Sequence, residues 1–202
     1  ISTGMANELE IEEAIQAARD GGCSEMVILH CVSGYPAPPD QYNLKTISDM
    51  ADRFQVITGL SDHTICNTTA IASVAMGACV IEKHVTLDRE GGGADDSFSI
   101  EPSELKELCR NTEIAWTAVG EPNYKQTNAE KSNAKFRRSI YVVNDIEKGE
   151  ILTHKNIRSI RPGFGIEPKY FQKVLGAEAK SSIARGTPLS FDLLNLNDFE
   201  KD

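Results

Sequence analysis

Two histidines follow short apolar runs, and their spacing along the chain indicates metal chemistry. His63 comes shortly after the run 56–60, and His84 lies near the end of the run 79–85. One helical pattern separates the runs, which predicts neighbouring parallel strands that carry both imidazoles to one edge of a sheet. Three carboxylates accompany them, namely Asp62, Glu82 and Asp95. Such ligands suit Mn, Fe, Co or Zn, and open ligand positions would allow Lewis-acid catalysis. Structural histidines that only form hydrogen bonds are the alternative.

Several other side chains at the predicted strand ends could bind an anionic substrate. Four of them are serines, namely Ser33, Ser61, Ser97 and Ser99. The glycine-rich run 91–93 could add backbone amides for an anion. Its spacing does not match a phosphate-binding loop, so a plain loop ahead of the last helix is the alternative. Arg161 lies in a turn-rich run and could clamp a carboxylate or amide oxygen; a solvated loop residue is again the alternative.

Alternating helix and strand patterns position these residues. Asn7 and Glu10 predict a capping box at the start of the first helix, and Pro102 opens the last helix of this region, which Gly120 ends. The predicted strands span 26–31, 56–60 and 79–85, and the intervening helices span 44–54 and 68–77. This alternation predicts an α/β domain with a parallel sheet, in which chemistry lies at the carboxyl ends of the strands.

The character of the sequence changes after about residue 120. The polar segment 121–136 has no core pattern and is predicted to be a linker. From residue 137 onward, short β patterns at 139–143 and 158–160 alternate with Lys-Gly and Pro-Gly turns, and a short helix is predicted near 168–175. About 60 residues of this kind can form a small β-rich domain with a modest core.

The composition narrows the class of protein. The chain has 202 residues and a formal charge of −9, which argues against a nucleic-acid surface and requires local donors for any anionic substrate. No apolar run approaches the ~20 residues of a membrane span, and no signal-peptide pattern begins the chain. The five cysteines form no CxxC pair. They indicate reduced thiols in a cytoplasmic protein, with Cys31 and Cys79 expected in the core.

Seven short motifs then occur in the order in which sialic acid synthases and their relatives carry them. They are ISTGM at 1–5, YP at 35–36, SDHT at 61–64, IEKH at 81–84, SIEP at 99–102, RRS at 137–139 and RPG at 161–163. The chain resembles this family over nearly its whole length. The resemblance implies the C-terminal half of a (β/α)8 TIM barrel at 1–120, a linker at 121–136 and a small β-rich SAF, or antifreeze-like, domain at 137–202. Barrel strands one to four are missing from this chain.

The resemblance also implies a reaction and a set of site residues. Enzymes of this family condense phosphoenolpyruvate with the open-chain aldehyde of an acylated aminohexose, giving a nine-carbon 2-keto sugar acid and phosphate. His63 and His84 match the ligands of a divalent metal, Mn²⁺ or Mg²⁺, and Glu82 and Asp95 match catalytic acidic positions. The substrate-binding positions are Ser33 and Ser61 for phosphoenolpyruvate, Tyr35 for the sugar, and Arg161. The last implies a homodimer, because the matching arginine reaches the sugar in the partner's barrel.

One loop favours a particular branch of the family. Sialic acid synthases proper carry Gly-Pro-Asp-His-x-x-Ser, whereas this chain carries GADDSFS at 93–99, which is closer to pseudaminic acid synthases. The substrate implied is then a bis-acetamido trideoxyhexose. Sialic or legionaminic acid synthesis is one alternative. Two others are a non-catalytic sugar-binding or assembly module, which the missing half-barrel favours, and an unrelated metal-dependent hydrolase on a similar scaffold.

Overall fold

The structure, a computed structural model, describes residues 1–195 and divides into two compact units between Pro122 and Asn123. The first unit alternates helices and strands along the chain. Its elements are α1 (Glu8–Asp20), β1 (Val27–Cys31), α2 (Lys45–Phe54), β2 (Ile57–Asp62), α3 (Thr68–Ala75), β3 (Val80–Lys83) and α4 (Pro102–Val119). All three strands run parallel. The predicted α/β class is therefore confirmed.

The parallel sheet has β2 at its centre, between β1 and β3. Gly59 lets the strands approach closely, because a Cβ there would lie 2.3 Å from the Val80 carbonyl oxygen and 2.6 Å from Leu29 Cδ2. The first residues of the chain extend the sheet beyond β1. Leu29 N donates to the Ile1 carbonyl oxygen (2.8 Å), and Thr3 N donates to the Leu29 carbonyl oxygen (2.9 Å).

The helix ends follow from the local sequence. α1 begins with the predicted capping box, in which Glu10 N donates to Asn7 Oδ1 and Asn7 N donates to Glu10 Oε2. Such a box satisfies two amides that have no partner within the helix. α4 begins at Pro102, as predicted, and carries a second capping box formed by Glu101 and Glu104. The helices pack on the sheet through two apolar clusters. The larger contains Ala37, Tyr42, Ile47, Leu60, Ala70, Ala78, Ile100 and Leu108, and the smaller contains Ile15, Ile28 and Met50.

The strand boundaries at the polar edge differ from the prediction. β2 continues through Ser61 and Asp62, past the predicted end at residue 60, whereas β3 ends at Lys83 and not at residue 85. Ser61 pairs with Glu82, and Asp62 pairs with Lys83. Polar residues can continue a strand when their side chains are satisfied across it. An apolar pattern in the sequence does not report that pairing.

The second unit is small and rich in short strands. Its elements are α5 (Asn128–Lys131), β4 (Ser139–Val142), β5 (Ile157–Ile160), α6 (Phe171–Val174), β6 (Glu178–Ala179) and β7 (Leu194–Asn195). β4 pairs with β5 and β6 pairs with β7, both antiparallel. The predicted short helix is a 3₁₀ turn at Pro168–Tyr170 followed by α6. An apolar core contains Ile140, Val142, Ile146, Leu152, Ile157, Ile166, Val174, Ala179, Ile183, Leu189 and Leu194.

The segment 121–136 is exposed at nearly every residue, in keeping with its lack of a core pattern. It nevertheless contains α5, which begins with a capping box formed by Thr127 and Glu130. The sequence did not predict this helix, because four residues are too few to show a period. Among residues 1–195, no helix combines the length and the apolar character needed to cross a bilayer.

The cysteines are free thiols, but their burial differs from the expectation. Cys79 was predicted to lie in the core and is exposed; it immediately precedes β3, where its thiol donates to the Gly77 carbonyl oxygen (3.5 Å). Cys31 is only partly buried, because it ends β1 where the polar edge of the sheet begins. The apolar neighbours of both residues in sequence misled the prediction.

Candidate active site

Three successive residue pairs lie at the carboxyl edge of the sheet, two of them on β2 and β3 and the third directly after these strands. Ser61 Oγ donates to Glu82 Oε1 (2.8 Å), and on the next pair Lys83 Nζ donates to Asp62 Oδ2 (2.8 Å). Side chains alternate between the two faces of a sheet, so the first pair faces one way and the second faces the other. The residue after each strand returns to the first face. These residues are His63 and His84, whose ring centroids lie 5.3 Å apart. The prediction that both imidazoles meet at one edge is confirmed.

His63 is held in a defined tautomer. The residue is 6% exposed, and its Nδ1 lies 2.9 Å from the Val32 carbonyl oxygen. A carbonyl oxygen can only accept a hydrogen bond, so Nδ1 carries the proton and the Nε2 of the neutral ring keeps its lone pair. The thiol of Cys31 also lies near Nδ1, at 4.0 Å. In the neutral ring, the Nε2 lone pair of His63 therefore faces away from this anchor.

His84 has a comparable arrangement at the more exposed side of the site. Its Nδ1 lies 3.4 Å from Asp95 Oδ2, so a proton on Nδ1 faces a carboxylate and Nε2 is again left with a lone pair. The Asp95 side chain is 60% exposed and follows the glycine-rich run. Within residues 1–195, no group of three or more His, Cys, Asp and Glu side chains is arranged to hold a metal ion.

Two aromatic side chains border the histidines. The Tyr35 ring lies 4.3 Å from the His63 ring and 5.9 Å from the His84 ring, measured between centroids. The Phe98 ring lies 5.3 Å from both His84 and Tyr35. Tyr35 is half exposed. The imidazoles thus have an apolar wall on one side, which restricts water at that side of the site.

A buried ion pair lies on the opposite face of the two strands. The side chains of Lys83 and Asp62 are 4% and 0% exposed. Lys83 Nζ also donates to the carbonyl oxygens of Thr64 and Cys66. Thr64 returns two bonds to the Asp62 carboxylate, from its amide (2.9 Å) and its hydroxyl (3.1 Å). Each buried charge is therefore paired and hydrogen-bonded, as burial requires.

Tyr42 links this ion pair to the backbone of His63. Its hydroxyl oxygen accepts a hydrogen bond from His63 N (2.7 Å), and its hydroxyl is also hydrogen-bonded to Asp62. Tyr42 is 1% exposed, and burial raises the pKa of its phenol far above the usual value. The hydroxyl therefore stays protonated and can donate to the Asp62 carboxylate.

Two amides of the glycine-rich loop already donate to acceptors nearby in the chain. Gly93 N donates to Asp96 Oδ2 and Thr86 Oγ1 donates to Asp96 Oδ1, both at 2.7 Å. These two bonds lower the pKa of the Asp96 carboxyl. Gly91 N donates to the Asp88 carbonyl oxygen. The idea that this run cradles an anion with free amides is not supported at Gly91 and Gly93, because those amides already have acceptors.

A small cavity of about 240 Å³ gathers the polar side chains of the sheet edge. It is lined by Ser61, His63, Glu82, Lys83 and His84. A larger cavity of about 590 Å³ lies between α3, β3 and α4 and is lined mainly by apolar side chains. We assign the candidate site to the smaller cavity, because converging polar groups and not volume mark a reactive centre.

Comparison with protein families identifies the relatives of this chain. Residues 1–124 match the model of the NeuB family, and residues 137–195 match the SAF domain. The first match spans more than half of the chain. The chain belongs to the NeuB family. The predicted resemblance is therefore confirmed.

Curated NeuB relatives include synthases for several sugar acids. N,N'-diacetyllegionaminic acid synthase of Campylobacter jejuni is 41% identical over 87% of this chain, and a pseudaminic acid synthase of the same species is 35% identical over 99% of it. Human N-acetylneuraminate-9-phosphate synthase is 35% identical over 76% of the chain. These alignments cover 54%, 57% and 43% of the relatives' own lengths. The chain thus spans about half the length of the curated relatives it matches.

Solved NeuB-type structures share the fold. The spore coat polysaccharide biosynthesis protein SpsE of Bacillus subtilis aligns with 98% of this chain and 61% of its own, with a TM-score of 0.56 and 34% identity. The N-acetylneuraminic acid synthetase of Leptospira borgpetersenii aligns with 65% of this chain and 46% of its own, with a TM-score of 0.60 and 33% identity. The fold class is therefore that of a partial TIM barrel followed by a SAF domain.

Six of the eight predicted site residues line one cavity of the NeuB chain or contact its histidines. Ser61, His63, Glu82 and His84 line one cavity, and Tyr35 and Asp95 contact its histidines. Ser33 lies near Cys31, with 3.9 Å between the hydroxyl and the thiol. Arg161 is in the second unit, exposed in the loop after β5. The prediction that Asp62 stands beside the imidazoles is wrong, because its carboxylate is bound by Lys83 on the opposite face.

Sequence reasoning missed several residues that shape the NeuB site. They are Cys31, Tyr42, Lys83 and Phe98. The period of two along a strand was a usable signal for Lys83, since it places Asp62 and Lys83 together and apart from the histidines. No local signal identifies Tyr42, which is 21 residues away from its partner His63 in the chain.

Proposed function

We propose that this chain carries the metal-binding part of the active site of a nonulosonate synthase. The observation that supports the proposal most strongly is the pairing of His63 with His84 above the hydrogen-bonded Ser61 and Glu82. These four side chains lie at the carboxyl ends of neighbouring parallel strands, where barrel enzymes place their chemistry. The three curated relatives described above are named as synthases of legionaminic, pseudaminic and N-acetylneuraminic acids or their phosphates, and these names support the same reaction class.

The proposed reaction joins C3 of phosphoenolpyruvate to the aldehyde carbon of an open-chain acylated aminohexose. Water adds to C2 of phosphoenolpyruvate, and the bond from C2 to the phosphate oxygen breaks. The water gives up both protons: one goes to the aldehyde oxygen, which becomes a hydroxyl, and the other leaves with the phosphate. The products are a nine-carbon 2-keto sugar acid and inorganic phosphate.

His63 and His84 would hold a divalent ion through their Nε2 atoms. The support is that Nδ1 of each ring already faces an acceptor, the Val32 carbonyl oxygen or the Asp95 carboxylate. Metal-binding histidines usually engage their second nitrogen in this way. A bound Mn²⁺ or Mg²⁺ would supply Lewis-acid polarisation of the aldehyde. Of the two, Mn²⁺ suits imidazole ligands better.

Glu82 and Asp95 are the proposed acidic groups of the reaction. The Ser61 hydroxyl holds the Glu82 carboxylate at the cavity that faces both histidines, where it can orient the reacting end of the sugar. Asp95 lies beside His84 in an exposed loop and can accept a proton from the water that adds to C2. Ser33 and Ser61 would contact phosphoenolpyruvate, and Tyr35 would border the sugar.

Arg161 is proposed to act in a homodimer. It is exposed in the loop after β5, and its guanidinium can bind an amide oxygen through two parallel N–H groups. We place it on the N-acyl group of a sugar bound in the partner's barrel. Light scattering with and without substrate measures the oligomeric state that this role requires, and a monomer at assay concentration would contradict it.

The proposed sugar is the bis-acetamido trideoxyhexose that pseudaminic acid synthesis uses. The loop sequence at 93–99 supports this choice. The 41% identity to a legionaminic acid synthase favours a second candidate, the stereoisomeric sugar of that pathway. Both sugars carry two acylamino groups, so N-acetylmannosamine is the informative comparison.

Phosphate release from phosphoenolpyruvate tests the proposed function. The assay compares this chain with a version extended at its amino terminus to the length of the relatives, with Mn²⁺ and each of the three sugars. We expect release only from the extended protein, and only when metal and a bis-acetamido sugar are both present. Silence of the extended protein with every sugar would contradict catalysis and favour a sugar-binding or assembly module. Hydrolytic turnover without phosphoenolpyruvate would instead indicate a metal-dependent hydrolase.

Gly4→Ala is expected to weaken phosphoenolpyruvate binding selectively. A Cβ at Gly4 would lie 2.1 Å from Ser33 Oγ and 3.1 Å from Cys31 Sγ, so the Ser33 hydroxyl must move. Loss of one hydrogen bond of about 0.5–1.5 kcal/mol corresponds to a rise of KM for phosphoenolpyruvate of about 2–10-fold, with little change in kcat. Steady-state kinetics of the extended protein measure both constants. Gly21→Ala is the control, because its Cβ would meet only helix carbonyl oxygens at 3.4 Å. An unchanged KM would remove Ser33 from the phosphoenolpyruvate site.

A further inference from the structure

The buried lysine beside the site cavity has no hydrogen left for a substrate. An ammonium group has three donors. Those of Lys83 reach the Asp62 carboxylate, the Thr64 carbonyl oxygen and the Cys66 carbonyl oxygen. Its side chain is 4% exposed. A phosphate or carboxylate ligand would therefore have to break an existing bond to reach this charge.

The oxygen atoms that accept hydrogen bonds from Lys83 all belong to residues 62–66, the segment that carries His63. Asp62 precedes this histidine, and Thr64 follows it. Lys83 Nζ binds the segment at residues 62, 64 and 66, and the Tyr42 hydroxyl binds it through His63 N. These bonds connect the chain after β2 to a residue of β3 that directly precedes His84. The spacing between the two imidazoles is thus coupled to the ion pair.

The energetics of buried ion pairs point to a role other than net stability. Removing two charges from water costs several kcal/mol per ion, and apolar residues of similar volume often stabilise a protein as well or better. A reactive site, in contrast, needs its groups fixed to within about 0.5 Å. Three bonds from one ammonium to a five-residue segment meet that need in a way that apolar packing cannot.

We propose that Lys83, Asp62 and Tyr42 are positioning residues that fix the His63 imidazole opposite His84 and so set the affinity of the metal site. This inference rests on the proposed metal site at the two histidines. We assign no ligand role to these residues, because the Lys83 ammonium borders the site cavity but already donates to Asp62, Thr64 and Cys66. They act through the backbone of residues 62–66 and through the orientation of the His63 ring.

Mn²⁺ binding and the imidazole signals of His63 together test the positioning role. Tyr42→Phe removes one hydroxyl, and Asp62→Asn removes one charge while keeping the shape of the side chain. We expect both to raise the Mn²⁺ dissociation constant about 10–100-fold, the range typical of residues that orient metal ligands. Electron paramagnetic resonance of free Mn²⁺ measures the affinity, and ¹H–¹⁵N spectra without metal report the tautomer of His63.

Ile15→Val controls for a general loss of stability. Ile15 is buried in α1 and belongs to the smaller apolar cluster with Ile28 and Met50, which does not contain Tyr42, so its variant should bind Mn²⁺ within about twofold of the unmodified chain, as expected for a small core change. Folded Tyr42→Phe and Asp62→Asn proteins with unchanged Mn²⁺ affinity would overturn the proposal.

The two proposals can fail separately. If the unmodified chain does not bind Mn²⁺, the proposed metal site fails. The ¹⁵N signals of His63 then decide the positioning role alone. A mixed tautomer in Tyr42→Phe, against a single Nδ1–H form in the unmodified chain, would support it. Unchanged signals in both variants would overturn it.

A variant that does not fold is replaced by Thr64→Val, which removes a single hydroxyl from the Asp62 carboxylate. The same two outcomes apply to it.

Discussion

His63→Ala and His84→Ala are each expected to lower kcat/KM for the condensation by about 1,000-fold or more. Lewis-acid stabilisation of the developing charge is worth several kcal/mol, and about 4 kcal/mol corresponds to a factor of 1,000. In the proposed metal site each ring supplies one Nε2 lone pair, and the two centroids lie 5.3 Å apart. Losing either nitrogen leaves the other unable to hold an ion by itself. Phosphate release by the extended protein measures the effect.

The double variant distinguishes a shared ion from two independent roles. Residues that act as a unit show strongly non-additive losses, so His63→Ala with His84→Ala should be about as inactive as either single variant. His154→Ala is the control. His154 is exposed in the second unit and packs against Phe171, with 5.5 Å between the ring centroids, and its loss should change kcat/KM by about twofold at most. Multiplicative losses in the double variant would contradict a single metal held by both rings.

Lys83→Met is expected to destabilise the first unit by about 3–5 kcal/mol, because it leaves the Asp62 charge buried without its partner. The two side chains are 4% and 0% exposed, so water cannot replace the lost ammonium. The double variant Asp62→Asn with Lys83→Met removes both charges and should recover at least about 1 kcal/mol of that loss. Urea unfolding followed by the fluorescence of Trp116, the one tryptophan of the sequence, reports the stability of this unit.

An exposed ion pair of the same unit provides the matched comparison. Arg53 contacts Glu8 at 2.8 Å and Asp49 at 3.2 Å, with side chains that are about half exposed. Surface pairs of this kind contribute about 0–1 kcal/mol, so Arg53→Met should have a small effect. If Lys83→Met were no more destabilising than Arg53→Met, the pair at Asp62 would be solvated in solution, and the account of its burial would be wrong.

The two expected losses distinguish a side chain needed for turnover from one needed for stability, although both lie on or next to the same pair of strands. Removing His84 should abolish turnover and leave the unfolding transition nearly unchanged, since His84 is partly exposed and its contacts are with other site residues. Removing Lys83 should first lower the stability of the unit. It should change the affinity for the metal only by way of the position of His63. Measuring both quantities for both variants therefore assigns each side chain to one role.

Much of the site could be predicted because it lies on a regular strand-to-loop repeat. The apolar runs placed His63 and His84 at the ends of adjacent strands. The alternation along each strand, which the prediction did not use, also puts Ser61 and Glu82 on the face of the histidines and Asp62 on the other face. Periodicity is a local property, so it is encoded within a few residues. The helix ends at Asn7 and Pro102 were predictable for the same reason.

The α/β class, the family and the residues at the carboxyl edge of the sheet could be inferred from the sequence. Which of these residues meet depended on the tertiary structure. It placed the Tyr42 hydroxyl on His63 N and the amide of Gly93 on Asp96, and it brought Lys83 close enough to Asp62 to pair the two buried charges. The strand period puts Asp62 and Lys83 on one face, but no pattern within a few residues contains the contact of Tyr42 with His63, which is 21 residues away. Local patterns reflect the regular geometry of helices and strands, whereas these contacts depend on how segments far apart in the sequence pack together.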